Sequence, residues 1–306
     1  KAFAAKHDFL VGYDSVDAVL SDSRVDAVYI ANRNHLHAPH AILALQAGKH
    51  VFMEKPIALN FADGVEVVKT SESSDSKLGV GFELRQHPGR IESKELISAG
   101  TIGTIALAQA QFGSGVRGNV HPKPRSGYSD WWVDPEYTGG AFAMMALGIH
   151  CVDELRFMLG QEVTEIAAIT DRQNDSQSLE NLATLCLRFS GGTIGTVTCG
   201  FRMPGFQNSV FLYGSDGKII FNEAYPPHTL QGSMEISSQT VNKTTSYERD
   251  GLILMQRQIE SFNQAIQHGD QPAATARDGL KAIQVIEAMI KSAATGTTVK
   301  LEPLDF

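Results

Sequence analysis

Short apolar strands alternate with amphipathic helices between residues 14 and 83, and this alternation limits the fold more than any other feature of the chain. The connections between successive elements are only a few residues long. Strands separated by single helices pair in parallel, so the segment predicts a parallel, doubly wound α/β sheet. The predicted strands are 26–31, 50–53 and 78–82, and the predicted helices are 14–20, 38–47 and 60–71.

The pattern changes after Gly89, where β-rich segments follow one another without helices between them. Such a succession predicts an antiparallel sheet, with turns at 190–192 and 214–217. The predicted strands are 105–112, 163–171, 182–189, 193–201, 210–213, 218–221 and 298–301, and the predicted helices are 90–99, 141–159, 252–267 and 277–294. The polar segment 222–250 gives no clear prediction.

We therefore predict two domains. Residues 1–84 form the remainder of a doubly wound domain of the Rossmann type, a dinucleotide-binding domain where its crevice holds such a ligand, and residues 85–306 form an α+β domain with a large, mainly antiparallel open sheet. The C-terminal helix of the second domain could pack back on the first. Residues 1–7 look like the last turns of a helix, and 10–13 like a short strand. We expect that a first β-α-β unit, and any export signal, lies upstream of Lys1.

Composition excludes several classes of function. The net charge is −8 and Lys and Arg are not clustered, which disfavours nucleic-acid binding. No apolar run approaches the roughly 20 residues that span a membrane. The three cysteines have no CxxC spacing, which favours a reduced, cytoplasmic protein.

The tripeptide Glu54-Lys55-Pro56 ends the predicted strand 50–53. Ligands of open α/β sheets bind beyond the carboxyl ends of the strands, so Lys55 is expected to overhang a cofactor crevice. Pro56 restricts the backbone of Lys55 and so fixes where the amine points. The alternative is an ordinary surface lysine in a β–α turn.

A second group of residues lies on the predicted helix 141–159, which follows the pair Gly139-Gly140. Apolar residues at helical spacing form its buried stripe: Met144, Leu147, Cys151, Leu155 and Met158. His150 is a candidate proton carrier, because an imidazole titrates near pH 6.5. The alternative is a hydrogen-bonded core histidine.

Two further patterns are weaker. Residues 113–118 fit G-x-G-x-x-G, but 119–124 cannot begin a helix, so we expect a loop near the mouth of the site rather than a phosphate cradle. His35, His37 and His40 lack a cysteine or acid at ligand spacing, so no metal site is predicted.

Taken in order, Glu54-Lys55-Pro56, Arg85, Pro88, Trp131 and the glycine-initiated helix with His150 resemble the Gfo/Idh/MocA oxidoreductase family. The resemblance covers essentially the whole chain. It extends to 31–37, which is similar to the family's Ala-Thr-Pro-Asn-x-x-His loop, and to 47–51, 95–103 and 214–217.

The resemblance implies a nicotinamide cofactor, NAD or NADP, and hydride transfer at a secondary alcohol or ketone of a sugar, cyclitol or related polyol. Lys55 would polarise the reacting oxygen, and His150 would be the acid or base. The residues implied in cofactor binding are Ala31, Asn32, Asn34, His35, His37, Glu54, Lys55, Pro56, Arg85 and Trp131.

The chain departs from the family at Ala146, where the family usually has an aspartate one helical turn before the histidine. Three accounts follow. Asp153 could orient His150 instead. Lys55 could carry the proton alone, with a proton affinity lowered by burial, and this is the account we favour. Catalysis could also have been lost. Arg33 and Trp132 likewise stand where the family usually has proline and often has arginine.

Two other functions remain open at this point. One is a non-catalytic dinucleotide-binding sensor, which Ala146 favours. The other is a redox-assisted glycosidase, which no residue selects.

The resemblance also implies a homodimer or homotetramer, because the outer face of the large sheet commonly packs on a partner subunit in the family. We predict that light scattering in physiological salt gives a mass of two or four chains. A monomeric mass would contradict this prediction.

Overall fold

In a computed structural model, the structure describes residues 4, 6–7, 9–115, 127–172, 179–205, 207–223 and 229–306. The first sheet has three parallel strands in the order β1 (Ala27–Ile30), β2 (His50–Glu54) and β3 (Leu78–Gly81). The helices α1 (Val16–Leu20), α2 (His37–Gln46) and α3 (Phe61–Glu72) alternate with these strands. The predicted parallel sheet is confirmed.

The strand expected at 10–13 is wrong. No regular element is assigned there, and Leu10 is fully exposed. A strand needs a partner for its backbone groups, and no described strand pairs with this segment. The predicted helix 60–71 is confirmed as α3, and Asn60 caps it, since its side chain accepts a hydrogen bond from the Asp63 amide at 2.8 Å.

The second sheet has nine strands in the order β11-β10-β9-β8-β4-β7-β6-β5-β12. Its strands are β4 (Ile105–Gly113), β5 (Val163–Thr170), β6 (Leu182–Phe189), β7 (Ile194–Gly200), β8 (Ser209–Gly214), β9 (Gly217–Asn222), β10 (Leu230–Ser238), β11 (Asn242–Asp250) and β12 (Val299–Lys300). Among the described strands of this sheet, β4 and β7 are the pair that run in parallel. The mainly antiparallel sheet is therefore confirmed, with its two predicted hairpins β6–β7 and β8–β9.

Strands β10 and β11 lie where the sequence gave no clear prediction. β11 is an edge strand and most of its residues are exposed, so it carries no apolar alternation to indicate its period. β6 shows the opposite case, since every second residue is buried and the pattern is visible in the sequence.

The remaining helices are α4 (Pro88–Ser98), α5 (Pro135–Thr138), α6 (Ile149–Leu159), α7 (Ile253–His268) and α8 (Ala276–Thr295), and a π-helical turn, Met144–Gly148, leads directly into α6. α8 contacts α3 and β3 of the first domain and also β5 of the large sheet. A Cβ on Gly279 would lie only 2.9 Å from Ile57, so a glycine is needed where α8 approaches the first domain closely. No helix in the described part of the chain is both long and apolar enough to cross a bilayer.

A buried ion pair connects α4 to α6 beneath the large sheet. Arg90 Nε lies 3.1 Å from Glu154 Oε2, both side chains are essentially inaccessible, and the guanidinium lies 4.5 Å from the centroid of the Phe221 ring. A charge buried in this way depends on its counter-ion.

We predict that Glu154→Gln lowers the free energy of unfolding by ~3–5 kcal/mol, because it leaves the Arg90 charge buried without its carboxylate. Urea denaturation measures the loss. The matched control is Glu165→Gln, whose partner Arg188 is half exposed and whose loss should stay within ~1 kcal/mol. A loss at Glu154 no larger than at Glu165 would contradict the prediction.

Candidate active site

A cavity of about 560 Å³ opens where the carboxyl end of β2 meets the π-helical turn before α6. Both domains contribute to its wall. It is lined by Ala31, Asn32, Asn34, His37, Glu54, Lys55, Ser114, Trp131, Trp132, Ala146, Leu147, His150 and Phe201. Lys55 and His150, which lie 95 positions apart in sequence, thus share one cavity.

The Lys55 amine crosses from the first domain to the second. Its Nζ donates hydrogen bonds to the Ala146 oxygen at 3.0 Å and to the Met145 oxygen at 3.3 Å. Both acceptors lie in the π-helical turn, a local widening that is frequent at functional sites. Two carbonyl acceptors stabilise the ammonium form of the lysine. The structure therefore holds a fixed positive charge at the cavity wall.

The loop after β1 holds the Lys55-Pro56 turn in place. The buried His37 ring places Nδ1 2.7 Å from the Pro56 oxygen and Nε2 3.2 Å from the Asn32 oxygen. Burial lowers the pKa of His37, although the two carbonyl oxygens act in the opposite direction, so the neutral ring donates to one of the two oxygens at a time. His37 therefore connects the Asn32 loop to the turn that positions the Lys55 amine.

Asn34 lies in the same loop and is also buried. Its Nδ2 finds no acceptor among the described residues, although the side chain lines the cavity. A buried amide donor without an acceptor is costly, so its position at the cavity wall indicates a ligand acceptor there.

His150 lies in the first turn of α6, and its Nδ1 is buried 3.6 Å from Oε1 of Glu83. Glu83 begins the 3₁₀ turn Glu83–Gln86 directly after β3 and is 1% exposed. Burial, followed by repulsion from Glu54, raises the pKa of Glu83 to about 7. The sequence prediction omitted Glu83, although its signal was visible as an acid at the carboxyl end of a buried strand.

The aromatic wall consists of Trp131 and Trp132, whose rings stack with centroids 4.7 Å apart. Trp132 also meets Phe142 edge to face at 6.4 Å. The pair provides a flat apolar surface beside Lys55 and His150, of the kind that packs against a sugar ring or a nicotinamide.

Arg85 and Asp153 do not lie where the sequence prediction put them. Arg85 donates to both carboxylate oxygens of Asp153, at 2.9 and 2.6 Å, and to Asp278 at 2.9 Å. Neither Arg85 nor Asp153 is among the described residues that line the cavity. A buried guanidinium requires carboxylate partners, and Asp153 and Asp278 supply them. Asp153 therefore neutralises Arg85, which differs from its predicted role of orienting His150, and the described lining of the cavity does not include Arg85.

Some of the other predicted cofactor-binding residues line the cavity, and the rest lie behind its lining. Ala31, Asn32 and Glu54 line the cavity, and Glu54 accepts a hydrogen bond from the Tyr29 hydroxyl. His35 instead packs against the Tyr137 ring at 4.5 Å and is not among the described lining residues. Pro56 contributes its carbonyl to His37.

Two other sequence patterns have limited structural counterparts. Ser114 of the glycine-rich segment 113–118 lines the cavity, while 116–118 lie outside the described residues. In the described parts of the chain, no three or more His, Cys, Asp or Glu side chains are grouped as metal ligands would be.

The residues at the cavity suit the reactive end of a nicotinamide dinucleotide. The buried Asn34 donor can meet a carboxamide or ribose oxygen, and the aromatic wall can cover a planar ring. A cavity at the carboxyl edge of a parallel sheet is also where such ligands bind. The fold and the site together define a dinucleotide-dependent α/β oxidoreductase with a second, open-sheet domain.

Comparison with known families places the chain within that class. Residues 1–82 match the model of an oxidoreductase family with an NAD-binding Rossmann fold, and residues 91–220 match a GFO/IDH/MocA C-terminal domain. The protein belongs to the Gfo/Idh/MocA family of oxidoreductases. The predicted family, fold class and nicotinamide cofactor are confirmed at this level.

Curated relatives span almost the whole chain. A 1,5-anhydro-D-fructose reductase from Ensifer adhaerens is 26% identical over 303 residues, covering 98% of this chain and 87% of the relative. A myo-inositol 2-dehydrogenase from Thermotoga maritima is 25% identical over 302 residues, covering 95% and 84%. These relatives are named as oxidoreductases of sugars or polyols.

Solved structures share the fold. An aldose-aldose oxidoreductase from Caulobacter crescentus, complexed with glycerol, has a TM-score of 0.83 at 24% identity, covering 98% of this chain and 88% of the other. A levoglucosan dehydrogenase, in complex with NADH and levoglucosan, has a TM-score of 0.83 at 21% identity, covering 97% and 85%.

The raised pKa of Glu83 predicts a pH-dependent stability. With a pKa near 7 in the folded protein and about 4.5 in the unfolded chain, the folded state binds more protons between these values, so stability falls as the pH rises through them. Glu83→Gln removes this titration. We expect the variant to gain at least ~1 kcal/mol relative to wild type between pH 5 and pH 8, measured by urea denaturation at each pH. A difference that does not change with pH would refute this.

Proposed function

We propose that this protein is an NAD(P)-dependent dehydrogenase or reductase that acts at a secondary alcohol or ketone of a sugar, cyclitol or related polyol. The observation that carries the proposal is the meeting of the Lys55 amine, the buried Asn34 donor and the His150 imidazole in one cavity at the carboxyl end of β2. The names of the relatives support this class of substrate.

Oxidation of a secondary alcohol removes a hydride and a proton from it. The carbon loses a hydride with its two electrons, and the hydroxyl loses a proton. The bound dinucleotide supplies the hydride acceptor for oxidation and the hydride donor for reduction. The protein must therefore hold the substrate oxygen, stabilise its changing charge and move one proton.

The Lys55 ammonium suits the first two tasks. Its position at the cavity wall is fixed by the carbonyls of Met145 and Ala146, and from that position the amine can approach the substrate oxygen. A fixed positive charge stabilises the alkoxide character that develops as the proton leaves. In place of the account in which Lys55 carries the proton alone, we assign the proton to His150 on the same wall, because the two carbonyl acceptors favour the charged form of the lysine.

The outer face of the nine-stranded sheet supports the proposal of a homodimer or homotetramer. Large apolar side chains on β5, β7 and β8 are exposed there, namely Ile169 (79%), Ile194 (39%) and Tyr213 (37%). These strands are separated by β6 and β4 in the sheet, and exposed apolar side chains of this kind are typical of a surface that packs on another chain.

We predict that Lys55→Ala lowers kcat by ~10²–10⁴-fold, because it removes the charge that polarises the reacting oxygen. The measurement is the change in NAD(P)H absorbance against a panel of sugars, cyclitols and polyols. Lys69→Ala, on the exposed face of α3, is the matched control and should retain wild-type turnover. Activity of Lys55→Ala within about threefold of wild type would overturn this role.

His150→Ala separates the two accounts of the proton. If His150 carries it, kcat falls by a comparable factor. If Lys55 carries it alone, the His150 variant retains most of its turnover.

A protein that binds the dinucleotide but turns over no member of the panel would instead be the non-catalytic sensor, and release of a reporter aglycone would identify the glycosidase.

A further inference from the structure

The helix that carries His150 lacks the carboxylate that a histidine base ordinarily uses for its orientation. The position one turn earlier is Ala146, whose side chain is only a methyl group at the cavity wall and whose carbonyl oxygen accepts a hydrogen bond from Lys55. Asp153, three residues after His150, is held by Arg85. Ala146 therefore supplies no acid to the imidazole, and the carboxylate of Asp153 is already paired with Arg85.

A carboxylate reaches the imidazole from the other domain. Glu83 follows β3, and its Oε1 lies 3.6 Å from Nδ1 of His150. Both side chains are buried, with 2% and 4% of their surfaces exposed. This separation is that of an ion pair, and a small side-chain rotation would shorten it to a hydrogen bond, as often happens when an active site binds its ligands.

Resting on the function proposed above, we propose that Glu83 is the positioning residue for His150. It takes the place of the acid missing at Ala146 by holding the Nδ1 side of the ring from the first domain. With Nδ1 facing Glu83, we assign to Nε2 the exchange of a proton with the substrate oxygen. The second ring nitrogen of a histidine is commonly fixed in this way by a carboxylate.

The charges around Glu83 make it responsive to the site. Glu54 and Asp153 repel its carboxylate, from the end of β2 and from α6, while Lys55 attracts it. The hydroxyl of Tyr29, on β1, donates a hydrogen bond to Glu54 and also lies within the electrostatic influence of Glu83. Burial is the largest cause that raises the pKa of Glu83, to about 7, and the repulsion adds to it.

The proton balance follows from this arrangement. In oxidation, the substrate hydroxyl gives its proton to Nε2 while Nδ1 keeps the proton that faces Glu83, and the hydride leaves with its electron pair to the dinucleotide. The imidazolium so formed is paired with the Glu83 carboxylate. In reduction, the same proton returns to the oxygen as the carbon gains the hydride.

The first test is Glu83→Gln, which keeps the shape of the side chain and removes its charge. We expect kcat to fall ~10–100-fold, the range found when the residue behind a functional histidine is changed. KM and the Kd of the dinucleotide should change less than about threefold, since Glu83 does not line the cavity as described. Glu165→Gln, a surface variant, should retain wild-type kinetics.

A second variant distinguishes a role through His150 from a purely structural one. Ala146→Asp places a carboxylate one helical turn before the imidazole, on the same side of α6. Combined with Glu83→Gln, it should restore kcat at least about tenfold. A merely structural loss at Glu83 would not be rescued from that position.

A third measurement needs no turnover. The ten histidines, labelled with ¹⁵N and assigned by the absence of one signal in His150→Ala, are titrated by NMR. In Glu83→Gln, the midpoint for His150 should move at least about one pH unit lower, because a neighbouring carboxylate favours the charged ring. In this variant, the ¹⁵N chemical shifts of the two His150 ring nitrogens should also no longer indicate that the neutral ring carries its proton mainly on Nδ1.

These readouts keep the two proposals apart. A wild type that is inactive on the whole panel would refute the proposed function, yet the NMR titration would still decide the role of Glu83. That role is overturned if His150 titrates alike in wild type and Glu83→Gln. It is also overturned if an active wild type loses less than threefold of its kcat, or if Ala146→Asp restores none of the loss.

Discussion

The contact between the Lys55 amine and the carbonyls of Met145 and Ala146 is the interaction on which the site depends. It joins the end of a strand in the first domain to the helical turn of the second domain that leads into α6 and His150. Each domain alone would present half of the cavity wall. The Lys55 amine lies between the two halves, and His37 contacts the Lys55-Pro56 turn that positions this amine.

Much of this arrangement could be predicted from the sequence, because its signals are local. Alternating strands and helices identify the parallel sheet, and the alternation of buried and exposed residues in β6 identifies the antiparallel one. Glu54-Lys55-Pro56 marks the edge of the cavity because it follows a buried strand directly. Strand β11 was not predicted, since its polar residues on both faces hide the period of a strand.

The parts that were not predicted depend on where charged side chains find partners across the domain boundary. Arg85 and Asp153 are each compatible in sequence with a place in the cavity, yet they neutralise one another in the interior. Glu83 lies only two positions before Arg85, but it meets the imidazole instead. Which of two neighbouring side chains turns toward a site is decided by tertiary packing, and no spacing rule along one chain contains that information.

The π-helical turn gives the Lys55 contact an unusual durability. Its acceptors are main-chain oxygens, so no exchange of side chains at positions 145 or 146 can delete them. The amine can therefore stay anchored while position 146 varies in character. With alanine at position 146, Lys55 keeps its contacts with these oxygens and its place at the cavity wall. The acid beside the His150 ring is then provided by another segment, here the one that carries Glu83.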